Sequence, residues 1–362
     1  MEKIKAGIIG CGGIATLKHL PSMRETGLVE IIGFCDLIES RAQDSKNKYG
    51  ADGARVYTDY KDLLKDKEIS VVYVCTANLT HSLITVDALR AGKHVMCEKP
   101  MAINAQDAKK MLDASKETGK VLTIGYQYRY GPEYLYVKNF AQNGGLGDIY
   151  FARALALRRR GVPNWGVFLD KEQQGGGPLI DIGTHALDMT LWTMDNYRPK
   201  YAVGTVYHKL NKDTEQGNIF GDWDPAEFTV EDSAFGFVVM ENGATIILES
   251  SWALNDRHTK EAAFTMSGTK AGVDFFDGLH INSILNGNQT DTKVDLDNGG
   301  GITFTVEGLK DKPEVMEQKI FLNAVLGKGE LTVLPEQAYI VTLILDAIYE
   351  SGRTGKPVYF DL

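Results

Sequence analysis

The chain has 362 residues, of which 43% are hydrophobic and 24% charged, a composition typical of a folded globular protein and unlike disordered or collagen-like chains. Its 39 lysines and arginines against 48 aspartates and glutamates give a formal net charge of −9, which disfavours nucleic acid as the main partner. No run of about 18 apolar residues occurs, so the sequence predicts no membrane span, and its charged start is unlike a signal peptide.

The first 125 residues alternate short apolar runs with helical stretches. Apolar runs cover 5–10, 28–36, 71–75, 94–97 and 121–126, and helices are predicted over 12–23, 39–49, 82–91 and 104–119. Continuous Val/Ile-rich runs separated by helices are typical of a parallel sheet covered on both faces. The sequence therefore predicts a doubly wound α/β domain over residues 1–125.

After residue 125 the pattern changes to short strands in sequence. A glycine-rich stretch at 175–178 opens a helix to Thr193, and helices over 314–326 and 336–350 close the chain. Strand-like alternations cover 201–208, 233–240, 244–252, 262–267, 272–276 and 302–306. Sequential strands with tight turns predict a second, α+β domain over residues 126–362 with a mostly antiparallel sheet. Its polar and aromatic insertion Asn211–Glu231 fits either a lid or an oligomer arm.

The four cysteines all fall in the first hundred residues. Cys11, Cys35, Cys75 and Cys97 each end an apolar run, and none forms a C-x-x-C pair. We interpret them as buried reduced thiols at strand ends, which predicts a cytoplasmic protein.

A glycine fingerprint follows the first predicted strand and opens the first helix. The residues Gly10-Cys11-Gly12-Gly13-Ile14-Ala15 match G-x-G-x-x-A. In such a motif the first glycine allows a tight turn, the second lets backbone N–H groups approach a pyrophosphate, and the alanine permits close packing of helix on strand. The phosphates would lie at the positive end of the helix. The alternative is a glycine turn without a ligand.

Asp36 ends the second predicted strand and strengthens the dinucleotide interpretation. An acid at this point binds the ribose 2′-hydroxyl and would repel a 2′-phosphate. The sequence therefore favours NAD over NADP, with Arg41 five residues on as the feature that keeps NADP open. The alternative role for Asp36 is a helix cap.

Two further motifs carry groups suited to proton and hydroxyl chemistry. Lys99 follows the run 94–97, and ligands of doubly wound sheets bind beyond the carboxyl ends of strands, so this lysine can bind a hydroxyl and stabilise a developing alkoxide. Asp181, His185 and Asp188 are spaced by four and three, which predicts one helical face. A histidine beside a carboxylate is suited to accept a proton near neutral pH.

Each of these motifs also has a structural alternative. Lys99 can be a surface lysine before a turn proline, and the Asp-His-Asp set can be a buried histidine with two capping acids. A metal site has less support, because no further His/Cys cluster lies nearby; the sequence predicts none.

In their order along the chain, these motifs resemble the Gfo/Idh/MocA oxidoreductases, the group of glucose–fructose oxidoreductase and inositol dehydrogenase. The resemblance rests on the fingerprint, Asp36, Thr76-Ala77-Asn78-x-x-His81, Glu98-Lys99-Pro100, G-G-G-x-L-x-D-x-G-x-H-x-x-D, and the closing run 349–358. It implies an N-terminal Rossmann domain and a C-terminal domain whose open sheet covers the site and often forms oligomers, here a dimer or tetramer. It also implies hydride transfer between NAD(P) and a sugar or cyclitol carbinol.

The resemblance further implies roles for individual residues. Lys99, Asp181 and His185 match the family's catalytic trio, with His185 as general base, Asp181 positioning it and Lys99 binding the reacting oxygen. Thr76, Asn78 and His81 match a loop beside the cofactor, Glu98 a contact to the nicotinamide ribose, and Gln127 a position near the nicotinamide. A cis Lys99-Pro100 peptide is also expected.

The stretch 158–166 resembles members that oxidise a ring hydroxyl of glucosides and anhydrosugars to a 3-keto sugar. Arg158 and Trp165 are the resulting substrate candidates, and Trp165 is also a candidate for contact with the nicotinamide. Their structural alternatives are a basic strand edge and a core tryptophan. Further candidates for specificity are Trp252, Asn255, Arg257 and His258.

Three functions remain open on the sequence. The favoured one is an NAD-dependent dehydrogenase of a small carbohydrate or glycoside, first a glucoside 3-dehydrogenase and second an inositol dehydrogenase. A redox-neutral glycoside hydrolase would break the glycosidic bond without net NADH. A non-enzymatic NAD-binding regulator is least favoured, because the catalytic trio is present.

Overall fold

The computed structural model describes residues 3–210, 212, 215, 217–296 and 311–362, and these form two compact units. The first unit contains the described residues up to Tyr130 together with 311–339, and the second contains 131–296 and 340–362. The sequence predicted a single boundary near residue 125, whereas here the chain returns to the first unit after the second. The predicted strand over 302–306 lies outside the described residues.

The described elements alternate strand and helix first and then become rich in strands. The strands are β1 Ile4–Ile9, β2 Val29–Cys35, β3 Arg55–Tyr57, β4 Val71–Val74, β5 His94–Cys97, β6 Leu122–Ile124, β7 Ile149–Leu157, β8 Pro199–Tyr207, β9 Ser233–Met240, β10 Thr245–Ser251, β11 Ala263–Gly268, β12 Ala271–Asp274, β13 His280–Leu285, β14 Asn288–Lys293 and β15 Val358–Tyr359. The helices are α1 Leu20–Thr26, α2 Glu39–Tyr49, α3 Tyr60–Lys65, α4 Asn78–Arg90, α5 Ala105–Thr118, α6 Pro132–Gln142, α7 Lys171–Gln174, α8 Thr184–Met194, α9 Pro313–Val325 and α10 Pro335–Thr354. A π-helical turn precedes both α1 (Ala15–His19) and α8 (Leu179–Gly183), and a 3₁₀ turn covers Gln127–Tyr130.

The first unit contains a parallel sheet whose described strands run in the order β3-β2-β1-β4-β5-β6. This is the strand order of a dinucleotide-binding doubly wound fold. β1 and β4 are almost wholly buried, because helices cover both faces of the sheet. The predicted Rossmann domain is therefore confirmed.

Helix α9 explains why the chain returns to the first unit. Its Phe321 and Leu322 belong to the same buried apolar cluster as Ile8, Phe34 and Tyr73 of the parallel sheet. Burying two large side chains is worth about 1.5–3 kcal/mol each, and a boundary drawn from strand patterns does not register this contact.

The second unit is built on a mixed sheet whose described strands run β14-β13-β12-β11-β7-β10-β9-β8-β15. Within the described residues the β7–β10 pair is parallel and every other pair is antiparallel. Helix α8 packs on β7, and Ile348 of α10 lies over β8 and β9. The predicted α+β unit with a mostly antiparallel sheet is confirmed.

The structure also contains elements that the sequence pattern did not predict. β7 lies in the middle of the mixed sheet, but its buried Ala152, Ala154 and Ala156 lack the Val/Ile signature of a strand, and their small size lets α8 approach. The hairpin β13–β14 is largely exposed and so carries little apolar alternation. β3, α3 and α6 were also missed, and α4 begins at Asn78 rather than at residue 82.

The four cysteines are free and buried, as predicted. Burial raises the pKa of the Cys11 and Cys35 thiols to about 12, so both are protonated at neutral pH. Of the helices the structure describes, none has the length and apolar character that crossing a bilayer requires.

Candidate active site

The fingerprint turn has the backbone geometry that a dinucleotide motif needs. Gly10 adopts φ +90°, and its N–H donates to the carbonyl of Cys35 at 2.8 Å. A Cβ at this residue would lie 2.4 Å from the carbonyl oxygen of Cys75, so glycine is required here. Ala15 is fully buried, which lets the helix start lie against the sheet.

The residues after the turn leave the space that a pyrophosphate would fill. A Cβ added to Gly12 or Gly13 would meet no atom within 4 Å. The Asp36 carboxylate is bonded to the fingerprint turn. Its Oδ2 accepts from Cys11 N–H and its Oδ1 from Ile38 N–H, both at 2.8 Å. Arg41 is exposed on the first turn of α2. This arrangement of open glycines beside an aspartate fits a dinucleotide.

Glu98 is the centre of a buried polar network next to Lys99. Its Oε1 accepts from Lys18 Nζ at 2.9 Å and from His19 Nε2 at 2.7 Å, and its Oε2 accepts from the backbone N–H of Lys99 at 3.1 Å. The amide nitrogen of Gln318 lies 3.2 Å from His19 Nδ1. Because an amide N–H₂ only donates, Nδ1 is assigned as acceptor and Nε2 as the protonated nitrogen.

Charge pairing keeps the carboxylate of this network ionised. Burial opposes the charged form of Glu98, but Lys18 and His19 outweigh it and hold its pKa well below the usual value. Lys18 also contacts Glu317 Oε2 at 3.0 Å, and the two carboxylates raise its pKa despite burial. The helix that starts at the fingerprint is thus tied through Glu98 to the backbone of Lys99.

His81 points inward and joins two loops. Its Nδ1 lies 2.8 Å from the carbonyl oxygen of Pro100, and its Nε2 lies 3.1 Å from that of Thr76. Burial lowers the pKa of this ring. The ring nitrogens are therefore used within the protein, and His81 supports the predicted cofactor loop and the cis Lys99-Pro100 peptide, which the structure confirms. Asn78 is the first residue of α4 and is largely buried.

Two further cofactor candidates line one cavity. Ile14 from the fingerprint and Gln127 from the 3₁₀ turn border a cavity of about 320 Å³, with Leu17 and Lys18 beside them. Leu17 is 84% exposed, so the fingerprint helix presents an apolar side chain there. Residues far apart in sequence therefore meet within the first unit.

Asp181 and His185 occupy the buried start of the α8 region in the second unit. Asp181 lies in the π-helical turn and His185 in the first turn of α8, and together with Asp188 they are less than one-tenth exposed. Trp252 Nε1 donates to Asp181 Oδ2 at 3.1 Å. The π-turn differs from the regular helix expected, and such turns often occur at functional sites.

The substrate candidates of the second unit have different surroundings. Both Nε and Nη2 of Arg158 donate to the Glu261 carboxylate at 2.6 Å, and its Nη1 donates to Gly161 O at 2.9 Å, so its guanidinium is held by protein groups. Trp165 is 50% exposed, and edge-to-face contacts with Phe168 and Phe220 fix its ring. It borders a cavity of about 450 Å³.

The specificity candidates divide into one buried and three exposed residues. Trp252 is fully buried and donates to Asp181, one of the predicted catalytic residues. Asn255, Arg257 and His258 are exposed on the loop after β10.

Sequence reasoning missed the residues that support these groups. Lys18 and His19 bond Glu98, and Glu317 and Gln318 bond Lys18 and His19 in turn. Glu231, itself bonded by Tyr349, accepts from the glycine-rich turn before α8. Their partners lie 52 to 299 residues away, so no local spacing could reveal them. The adjacent Lys18-His19 pair, on a helix next to the fingerprint, was the one signal present.

Comparison with known proteins places this geometry in a family. The family model described as oxidoreductase family, NAD-binding Rossmann fold matches residues 4–126, and the model described as GFO/IDH/MocA C-terminal domain matches 134–274. The D-glucoside 3-dehydrogenase of Escherichia coli K12 is 36% identical over 98% of this chain and 97% of its own length.

Two further similarities are partial or structural. An inositol 2-dehydrogenase of Salmonella paratyphi B is 38% identical over 53% of this chain and 55% of its own length. A levoglucosan dehydrogenase solved with NADH and levoglucosan has the same fold, with a TM-score of 0.81 at 21% identity over 99% of both chains. The matched models and the full-length relative agree with the fingerprint and fold described above: the chain belongs to the Gfo/Idh/MocA oxidoreductase family.

Proposed function

We propose that this protein is an NAD-dependent oxidoreductase that transfers hydride between the nicotinamide and a ring hydroxyl of a sugar, glycoside or cyclitol. The favoured reaction is oxidation of a D-glucoside to its 3-keto form. The observation that carries this choice is the 36% identity with a D-glucoside 3-dehydrogenase over 98% of the chain. The fingerprint, the Asp36 carboxylate and the buried Asp181 and His185 supply the groups that such a reaction uses.

Each catalytic residue has one role in the proposed oxidation. His185 takes the proton of the reacting hydroxyl as general base. Asp181, held by Trp252, orients His185 and the sugar. Lys99 binds the reacting oxygen and stabilises the charge that develops on it. NAD, when bound, would supply the hydride acceptor, which is C4 of its nicotinamide ring; the hydride comes from the sugar carbon that bears the reacting hydroxyl.

The proposed cofactor preference is NAD rather than NADP. Both oxygens of the Asp36 carboxylate already accept backbone N–H groups, which fixes the charge beside the fingerprint. A 2′-phosphate there would face this negative charge, whereas a ribose hydroxyl can donate to it. Arg41 is exposed on α2 and is the positive group that an NADP site would use.

The direct test incubates the purified protein with NAD and a panel of alkyl and aryl glucosides, inositols and free sugars, and follows absorbance of the reduced nicotinamide. Glucosides that yield NADH and a 3-keto product support the proposal. Turnover restricted to inositols would establish the second candidate, which the partial match to an inositol 2-dehydrogenase favours. Release of the aglycone without NADH would replace both with the redox-neutral hydrolase.

We also propose that the protein works as a homo-oligomer in the cytoplasm. On β9 and β10, residues alternating with the buried ones include Phe235, Phe237 and Ile247, and Phe237 is 43% exposed, so this sheet face carries an apolar strip beside the Arg153–Glu249 ion pair. A second copy covering it as dimer or tetramer would bury that surface. The free cysteines suit a reducing compartment. Sedimentation equilibrium of wild type and Phe237→Glu tests the interface.

A further inference from the structure

Glu231 ends the polar insertion and is almost fully buried. Its Oε2 accepts from the N–H of Gly177 at 2.8 Å, and its Oε1 accepts from the N–H of Leu179 at 3.2 Å. The hydroxyl of Tyr349 on α10 donates to Oε1 at 2.8 Å. The carboxylate thus lies at the start of the helical segment that carries Asp181 and His185, where backbone N–H groups lack partners within the helix.

The glycine-rich turn packs tightly against the Tyr349 side chain and the Glu231 backbone. A Cβ on Gly176 would lie 2.0 Å from the Tyr349 hydroxyl oxygen, and a Cβ on Gly177 would lie 2.2 Å from the Glu231 carbonyl oxygen. A negative charge at this end of a helix is favourable, because the helix dipole is positive there. The internal carboxylate therefore occupies the place that an anionic ligand takes at other glycine-rich helix starts.

The same insertion also packs near Trp252, the residue whose indole hydrogen-bonds Asp181. Phe228 is buried, with its ring centroid 6.4 Å from that of Trp252, whose indole bonds Asp181. Trp223 packs edge-to-face on Phe228 at 5.7 Å. Next to Glu231, Asp232 accepts the N–H groups of Lys209 and Leu210 and so fixes the chain where the insertion begins.

We propose that Glu231 is a positioning residue for His185, and that the described part of the insertion, residues 217–231, is a fixed brace of the Asp181–His185 helix rather than a lid. The inference rests on the proposed function, in which His185 is the general base. Glu231 acts through the backbone of Gly177 and Leu179 and does not touch substrate. The insertion thereby contributes to the rate of the chemical step.

The test compares Glu231→Gln and the milder Tyr349→Phe with the control Glu350→Gln. Glu350 is the next residue on α10, but it is exposed and pairs with Arg353 at the surface. We expect Glu231→Gln to lower kcat about tenfold or more with NAD affinity unchanged, Tyr349→Phe to lower it about threefold, and the control to match wild type. If Glu231→Gln does not fold, Tyr349→Phe is compared with the Glu350→Gln control instead.

Hydrogen–deuterium exchange of the 177–185 backbone provides the readout that is independent of activity. The proposal requires faster exchange of these amides in Glu231→Gln and Tyr349→Phe, together with the fall in kcat. Unchanged protection overturns it, and so does lost protection with kcat unchanged. A wild-type protein that oxidises no sugar overturns the proposed function instead, and the exchange data then still decide whether Glu231 braces the helix.

Discussion

The indole N–H of Trp252 donates to the carboxylate of Asp181 at 3.1 Å, and both side chains are buried. One acceptor site of Asp181 is thereby fixed, which leaves the carboxylate with a defined orientation one turn before His185. A buried hydrogen bond to a charged group is worth about 1.5–3 kcal/mol, enough to decide where the carboxylate points. Trp252 therefore fixes the orientation of Asp181, one member of the proposed catalytic pair.

Replacing Trp252 by Phe should slow catalysis and leave cofactor binding intact. An aromatic ring remains, but the indole donor to Asp181 is lost, so we expect kcat to fall about tenfold, as roughly 1.4 kcal/mol of lost stabilisation implies. Steady-state kinetics and NAD titration by fluorescence measure the two effects. Ser251→Ala is the control, because this neighbouring hydroxyl bonds Ser233 and Asp232 rather than Asp181. A Trp252→Phe variant with wild-type kcat would show that the bond from Trp252 to Asp181 does not contribute to catalysis.

A methyl group on Gly12 should block the cofactor without disturbing the fold. The Cβ would enter space that no protein atom occupies, so the free energy of unfolding should change by less than about 1 kcal/mol. The same methyl would stand where the pyrophosphate is expected, and NAD affinity should fall at least about tenfold. Gly329→Ala, which also meets no neighbour, serves as control. Unchanged affinity would place the pyrophosphate elsewhere.

Lys18 should be among the costliest polar residues to replace in the first unit. Lys18→Met leaves the Glu98 and Glu317 carboxylates buried without their cation, and we expect the free energy of unfolding to fall by about 3–5 kcal/mol. Urea denaturation measures it. Lys65→Met, which breaks an exposed pair with Asp62, should cost less than about 1 kcal/mol. A loss for Lys18→Met as small as the control's would show that the network is not a structural core.

Asp36→Asn should relax the cofactor preference. The change removes the negative charge that would repel a 2′-phosphate, so the kcat/KM ratio for NADP over NAD should rise about tenfold or more. Asp44→Asn on the exposed face of α2 is the matched control. Kinetics with both cofactors measure the ratio. A ratio equal to that of wild type would mean that another residue sets the preference for NAD over NADP, and Arg41 would be the first to test.

Glu231 should leave a signature in the pH dependence of stability. Burial raises its pKa above the ordinary 4.5, against the hydrogen bonds from Gly177 and Tyr349. Because the folded pKa exceeds the unfolded one, the stability linked to its proton is fully present below pH 4.5 and is lost as pH rises through the folded value.

The comparison of wild type with Glu231→Gln isolates this contribution. We expect wild type to be most stable relative to the variant at acid pH and to lose part of that difference on the way to neutrality. Thermal unfolding midpoints of both proteins across this range measure the effect. A difference that does not vary with pH would mean that the pKa of Glu231 is the same in the folded and unfolded chain.

Local patterns predicted the parts of the site that depend on local backbone geometry. The fingerprint lies in a strand–turn–helix context, and Gly10 has the positive φ that its turn requires. Lys99 follows β5, and Asp181 and His185 lie at a helix start. Trp252, Arg158 and His81 were also singled out as specificity, substrate and cofactor candidates. The structure adds their contacts with Asp181, Glu261 and two backbone carbonyls, which no local pattern indicated.

Strand β7 is an element of the fold that local patterns likewise failed to predict. Its alanines carry little strand signal, yet it lies between β10 and β11. Small residues suit this position because α8 packs on the strand. For α9, likewise, the sequence predicts only a helix near the end of the chain. Nothing local shows that its Phe321 and Glu317 pack into the first unit.

The sequence alone determined the class of fold, the dinucleotide fingerprint, the acid that follows it and the family. Each depends either on spacings of a few residues within one strand, turn or helix, or on the order in which such elements and motifs follow one another along the chain. Tertiary structure decided which buried charges are paired and what orients the catalytic candidates. Glu98 is neutralised by Lys18, which is 80 residues away, and the turn before Asp181 is capped by Glu231, more than 50 residues further on. Such contacts form only when burial removes competing water, so no local pattern records them.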